Sequence, residues 1–247
     1  MPLLNDSTLQ QNSLAGGHYG YSGTRIEHLG ATEYTIVTVA CDVSGSTSSF
    51  TFDLEAALAQ IVQACQLSPR ADNLLLRVVQ FDDQLDEVHG FKMLENCDLA
   101  DYGGSLRAGG MTALYDATEN AIAATVSYGK SLAAGSFSAN AILFVMTDGA
   151  DNASKLNAKH VKQALANAVR SESLESLVTI LVGVNVQDAQ IIQYLRAFHQ
   201  DAGLHHYLEI NQANANTLAG LANFVSRSIC AQSQVLGTGQ TSSWLKF

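Results

Sequence analysis

The feature that most constrains this chain is an alternation of two hydrophobic rhythms. Short β-branched apolar runs recur at Thr35 to Cys41, Leu74 to Phe81, Ala141 to Thr147, Leu177 to Val184 and, more weakly, Tyr207 to Ile210. Continuous apolar runs of this length suit strands buried on both faces. Between and after them, apolar residues fall three and four apart, as in Leu54, Leu58, Ile61, Val62, Cys65 and in Leu114, Ala117, Ala121, Ala124, Tyr128. The same spacing returns from Val161, from Ile191 and from Leu218, which predicts five amphipathic helices. Alternating strands and helices give right-handed crossovers, so the expected fold class is α/β: a doubly wound, mostly parallel sheet with helices on both faces. Leu85 to Leu94 follows the second run after Asp82-Asp83, with no room for a helix. It is expected to be an antiparallel edge strand.

The expected division is an N-terminal arm over 1–33, one domain over 34–231 and a C-terminal tail over 232–247. The arm is rich in Gly, Ser, Asn and Gln but carries Tyr19, Tyr21, Arg25 and Ile26, so partial order is expected. The tail holds Trp244, Leu245 and Phe247, which either dock on a partner or fold back onto the domain. At 247 residues, with 47% apolar and 15% charged, the chain can bury a core without metals or disulfides. A net charge of −10 argues against nucleic-acid partners. The longest mid-chain apolar run, Ala141 to Met146, is six residues where a bilayer needs ~20, so no membrane partner is expected. Residues 1–10 lack the basic start and apolar stretch of a secretory signal, which predicts a cytosolic protein. Cys41, Cys65, Cys97 and Cys230 show no CxxC spacing and read as reduced, mostly buried thiols.

In open α/β sheets ligands bind at the carboxyl ends of the strands. There the chain places Asp42, Ser44 and Ser46 in DVSGS, Asp148 in MTDGADN and, after Gly109-Gly110 at a helix start, Thr112. Short hydroxyls and carboxylates, without imidazole or thiolate, suit a hard divalent cation: Mg²⁺, with Mn²⁺ or Ca²⁺ as substitutes. Two carboxylates ~5 Å apart repel by about 3 kcal/mol at an effective dielectric of 20. A cation between them removes that cost. Gly45 allows the tight turn that aims the alternating oxygens to one side.

Taken in order, these residues resemble the von Willebrand factor type A domain, whose metal-ion-dependent adhesion site reads DxSxS, then Thr, then Asp. Asp42, Ser44 and Ser46 match the first part, Thr112 the second and Asp148 the third; the resemblance covers about residues 34–231. One departure is Met111, which separates Gly110 from Thr112 where the family often has Gly-Gly-Thr. The resemblance implies that Ser44, Ser46 and, in the high-affinity form, Thr112 ligate the metal directly, while Asp42 and Asp148 act largely through water. It implies a non-enzymatic docking domain in which the cation accepts an Asp or Glu of a protein partner. Small soluble relatives accompany AAA-type ATPases, kinases or stress-response proteins, and such partners are expected by that resemblance.

Plainer readings stand beside these. DVSGS is compatible with an ordinary helix cap. Asp151 and Asn152 are expected to cap the next segment or orient Asp148. The acidic group Asp82, Asp83, Asp86, Glu87 reads as a solvated turn, and His205-His206 as a strand entrance. The alternative function is a Mg²⁺-dependent phosphatase of the haloacid dehalogenase type with Asp42 as nucleophile. Ser44 stands where that chemistry needs a second Asp as general acid. No GxSxG, GxxxxGK[ST] or HExxH occurs.

Overall fold

The computed structural model describes residues 7–14 and 19–236. Trp244, Leu245 and Phe247, and with them the docking role considered for the tail, lie outside the described residues. All five apolar runs become strands, and they lie in one eight-stranded sheet. The strands are β1 (Leu9–Asn12), β2 (Tyr21–Thr24), β3 (Glu33–Asp42), β4 (Leu74–Phe81), β5 (Leu85–Met93), β6 (Ser138–Thr147), β7 (Leu177–Val184) and β8 (His206–Ile210). Their spatial order is β1-β2-β5-β4-β3-β6-β7-β8. From β4 through β3, β6 and β7 to β8 every pairing is parallel. This is the expected doubly wound α/β sheet, of von Willebrand A or Rossmann-like type.

The helices are α1 (Thr51–Gln66), α2 (Leu114–Ala134), α3 (Ala158–Ser171), α4 (Ala189–Ala202) and α5 (Ala215–Val235). Alternation along the central strands sorts them into two layers. Val37, Val39 and Cys41 of β3, with Ile142, Phe144 and Met146 of β6, pack with Leu58, Ile61 and Val62 of α1 and Leu221, Val225 and Ile229 of α5. The intervening Ala40, Leu143, Val145 and Leu181 pack with Ile122 of α2, Val161 and Leu165 of α3, and Leu195 and Phe198 of α4. Three helices start on side-chain caps: Asn157 and Asn214 form capping boxes with His160 and Thr217, and Asp188 caps α4.

Strand β5 is antiparallel to β4, as expected. The sheet does not stop there, because β2 joins β5 through the Gly23–Phe91 pair and β1 adds antiparallel to β2. The arm is held by rings: Phe91 stacks on Tyr128 at 4.7 Å between centroids, and Tyr21 meets both edge-on. Gly90 is needed here, since a Cβ would collide with the Ser22 carbonyl and hydroxyl.

A second difference concerns Glu87, which is not part of a solvated turn. It is 5% exposed, and its Oε1 accepts from Nε of the fully buried Arg77 at 2.6 Å. Ser22 donates to the same carboxylate through its backbone N–H at 3.0 Å and its hydroxyl at 2.7 Å. Arg77 also donates to Asn120 Oδ1 at 3.0 Å. Alternation explains the inward aim: Glu87 is registered opposite Val79, so it shares a sheet face with Arg77, two residues earlier in β4.

Candidate functional site

The site lies where β3 and β6 end side by side. Asp42 is the last residue of β3 and is only 2% exposed. Its Oδ1 accepts the Ser44 backbone N–H at 2.8 Å, a local turn that aims the serines back over the sheet edge. Its Oδ2 accepts the hydroxyl of Thr147, the last residue of β6, at 2.5 Å. A 3-10 turn over Gly45–Ser49 follows and leads into α1. Within it the Ser46 hydroxyl lies 3.2 Å from that of Ser44 and donates to Asp148 Oδ1 at 2.8 Å. Asp42, Ser44, Ser46 and Asp148 are thus linked in one hydrogen-bonded series, through the Ser44 N–H and the two serine hydroxyls, that spans two strand ends.

Thr112 reaches this edge from a third segment and is 4% exposed. Its hydroxyl makes no direct hydrogen bond to the other four, but a Cβ placed on Gly149 would sit 4.0 Å from it, so it faces the turn that carries Asp148. The Thr112 loop is tied down on both sides. Gly45 donates to the Gly110 carbonyl at 3.3 Å, Gly109 to that of Val43 at 2.7 Å, and Ala113 to that of Asp82 at 2.7 Å. Gly110 has φ +67°, and a Cβ there would run into the Asp82 and Asp83 carboxylates, so only glycine fits.

Asp151 caps the segment that follows it, as expected, its Oδ1 accepting the Ser154 N–H at 3.3 Å, but it and Asn152 also do something the sequence did not suggest. Asn152 Oδ1 accepts the Thr112 N–H at 2.7 Å, and Asn152 N–H returns a bond to the Thr112 carbonyl at 2.9 Å. Asp151 accepts the Tyr115 N–H at 3.2 Å, and Asp116 accepts those of Lys155 and Leu156. Both therefore orient the start of α2, rather than Asp148. The loop after β6 and the start of α2 supply each other's missing acceptors. Thr147 was also missed, being read as the end of an apolar run. A hydroxyl directly before the acidic residue was its signal.

Burial dominates the electrostatics. It pushes the Asp42 carboxyl up to about 6; the bonds from Ser44 and Thr147 offset part of this, and the nearby Asp148 adds to it. Asp148 is raised as well, again chiefly by burial, with Ser46 pulling the other way. None of the ion pairs among the described residues involves either group. Nor do the described residues contain a cluster of three or more His, Cys, Asp or Glu side chains able to hold a metal. A cation here would rest on hydroxyls together with two carboxylates. That oxygen-only set fits a hard divalent ion.

No family model matches the sequence, and no curated protein matches it. Solved structures do match in fold. The PilB minor pilin from Streptococcus sanguinis aligns with a TM-score of 0.57 at 12% identity, over 81% of this chain and 62% of that one. The pilus adhesin SpaC from Lactobacillus rhamnosus GG gives 0.55 at 11%, over 82% and 30%. Proximal thread matrix protein 1 from the mussel byssus, in a structure with a zinc-occupied MIDAS motif, gives 0.51 at 17%, over 82% and 47%. The chain spans less than two thirds of each of these proteins. The likeness is one of fold.

Proposed function

We propose that this protein is a non-enzymatic docking domain that holds a divalent cation, Mg²⁺ or a substitute, at the β3–β6 edge and through it recognises an Asp or Glu of a protein partner. The observation that carries this reading is the hydrogen-bonded series from buried Asp42, through the Ser44 N–H and the hydroxyls of Ser44 and Ser46, to Asp148. It brings together two carboxylates of raised proton affinity, and none of the ion pairs among the described residues involves either. Ser44, Ser46 and Thr112 would hold the ion directly, with Asp42 and Asp148 acting largely through water. When bound, the ion supplies an electrophilic position for an outside oxyanion. The chain's own residues shape that position: Asp42, Ser44 and Thr112 form a buried floor, while Ser46 and half-buried Asp148 stand at the opening.

The named neighbours support protein binding, because they include an adhesin, a pilin and a matrix protein with a zinc-occupied MIDAS motif. The cytosolic placement enters the proposal from the sequence alone. Among the described residues no helix is long and apolar enough to cross a membrane. Partners of the ATPase, kinase or stress-response kind enter the proposal through the sequence resemblance alone. The phosphatase reading is disfavoured because Ser44 stands where that chemistry needs a second Asp as general acid.

The test is Mn²⁺ or Mg²⁺ binding to the whole chain, with partner capture run in cation and then in EDTA. Wild type should bind, and Asp42→Ala and Asp148→Ala should remain folded by circular dichroism without binding. Absence of binding at millimolar cation would overturn the proposal. So would turnover of a generic phosphate ester that Asp42→Asn abolishes.

A further inference from the structure

At the edge of the sheet opposite the Asp42 site, where the parallel strands begin, lies a cavity of about 420 Å³. Its walls are α3, the segment 174–177 leading into β7 and the turn after α4. Leu165 and Val169 of α3 line it together with Leu174 and Leu177, and Lys162 and Glu175 add one charge of each sign. Val169 is 81% exposed, one of four large apolar side chains left in solvent among the described residues. The volume falls within the ~300–1,000 Å³ of sites that bury a compact apolar group. With its two charges balanced, the lining selects for apolar surface rather than for an anion or a cation.

Helix α5 ends beside this cavity. Gln232, in its last turn and 2% exposed, donates from Nε2 to the hydroxyl of Ser176, another lining residue, at 2.8 Å. Asn140 Nδ2 donates to the Gln232 carbonyl at 2.7 Å, so the end of α5 is fixed against the segments that open β6 and β7. Leu236 follows one turn later, about 6 Å along the axis. Beyond it the sequence reads seven polar or glycine residues, Gly-Thr-Gly-Gln-Thr-Ser-Ser, and then Trp244-Leu245-Lys246-Phe247. Eight residues from Leu236 to Trp244 span up to about 26 Å, ample for a cavity whose wall Gln232 already touches.

We propose that this cavity is the seat of the chain's own tail, which buries the apolar side chains of residues 244–247 there, Trp244 foremost. The occupant follows from composition and from the point of attachment. An aromatic side chain gains most from leaving water, with about 150–250 Å² to bury. A short tether at the cavity wall presents it at an effective concentration on the order of millimolar, against which any untethered apolar competitor must work. Leu67, 83% exposed at the end of α1, is a rival contact near the end of α5, where Arg70 Nε donates to Ser233 Oγ at 3.3 Å. It offers one side chain, whereas α3 and the 174–177 segment wall a volume. The seated tail would strap α5, in one helix layer, to α3 in the other. It does not depend on the metal reading.

Trp244 is the only tryptophan of the chain, so its fluorescence reports this segment alone. In the folded full chain its emission should lie at shorter wavelength than in urea and resist quenching by acrylamide. Val169→Asp places a charge at the cavity mouth and Ala166→Gln fills the cavity; each should move the emission to the solvent wavelength with circular dichroism unchanged. Val169→Met and Leu67→Asp should leave it as in wild type, and so should dilution. Solvent-like emission from folded wild type would overturn the proposal. So would short-wavelength emission that both cavity variants leave in place, that Leu67→Asp removes instead, or that dilution removes, since the last would put the tail on a second copy.

Discussion

Two places in this molecule bury carboxylates, and they treat the charge in opposite ways. Glu87, beneath the N-terminal arm, receives a guanidinium from Arg77 together with the backbone N–H and hydroxyl of Ser22. Asp42, at the β3–β6 edge, receives only a neutral N–H and a neutral hydroxyl, and its charged neighbour is another carboxylate. Under the proposed function, the difference separates a place where the chain supplies the positive partner itself from one where a cation would supply it. Buried charge is costly unless paired. A fold that can place Arg77 against Glu87 could have paired Asp42 in the same way.

The largest expected effect breaks the completed side. Arg77→Met should destabilise by ~3–5 kcal/mol, because it strands a buried carboxylate. Urea denaturation of the variant reads this directly. Combining it with Glu87→Leu should recover much of the loss, since the stranded charge is then gone. A loss of under ~1 kcal/mol for Arg77→Met would mean that water reaches Glu87 and that the contrast with Asp42 is false.

Next in size is the pH dependence of the uncompensated side in chelator. The folded-state value of Asp42 is raised, from an ordinary 3.8 to about 6. Within that window the folded chain holds more protons than the unfolded one, so the Asp42 contribution falls as pH rises. The change amounts to about 3 kcal/mol. Fully buried His89, hydrogen-bonded to Tyr102 and to the Gly90 carbonyl, is lowered to about 4, chiefly by burial. Its contribution is present above its ordinary 6.5 and is lost as pH falls toward 4, the opposite sign over nearly the same window. The clean observable is therefore the difference between wild type and Asp42→Asn in EDTA. That difference should move against wild type from pH 4 to 7, and a flat difference would remove the electrostatic basis of the comparison.

Cation supplied at about a hundred times its dissociation constant should stabilise the folded chain by ~2.7 kcal/mol. Thermal melts should show the gain in wild type and in Arg77→Met, whose site is intact, and not in Asp42→Ala or Asp148→Ala. Loss of the gain in Arg77→Met would show that the two regions are not independent.

Much of this contrast was legible in the sequence on one side only. Asp42 and Asp148 stand directly after apolar runs, and a strand end in a parallel sheet is where a polar residue has a reason to be buried. Thr112 follows a glycine pair before a helical period. Arg77, by contrast, sits inside the run Leu74 to Phe81, where periodicity reads a strand but assigns no partner to a charge. Glu87 lies next to acidic turn residues and took their reading, although its register in β5 turns it inward. Strands β1 and β2 were illegible for a related reason. LQQN and YSGT carry little apolar signal, and β2 is held by Glu87 and by rings of Phe91 and Tyr128, contacts far apart in the chain.

The smallest effect separates holding the cation from holding the loop. Asn152 makes no hydrogen bond to Asp42, Ser44, Ser46 or Asp148, yet its side chain accepts the buried Thr112 N–H at 2.7 Å. Asn152→Ala should cost ~1 kcal/mol in urea stability, with the orphaned N–H making up most of it. Its cation gain should shrink without vanishing, because Asp42, Ser44, Ser46 and Asp148 remain at the ends of β3 and β6 while Thr112 loses its anchor. Asn152→Asp keeps an acceptor for that N–H and should restore the Thr112 position, and its added negative charge should strengthen the response to cation. If Asn152→Ala instead abolishes the response as fully as Asp42→Ala, Thr112 is as necessary as the carboxylates. The charge left open at this edge would then be only half of what the site asks of an incoming ion.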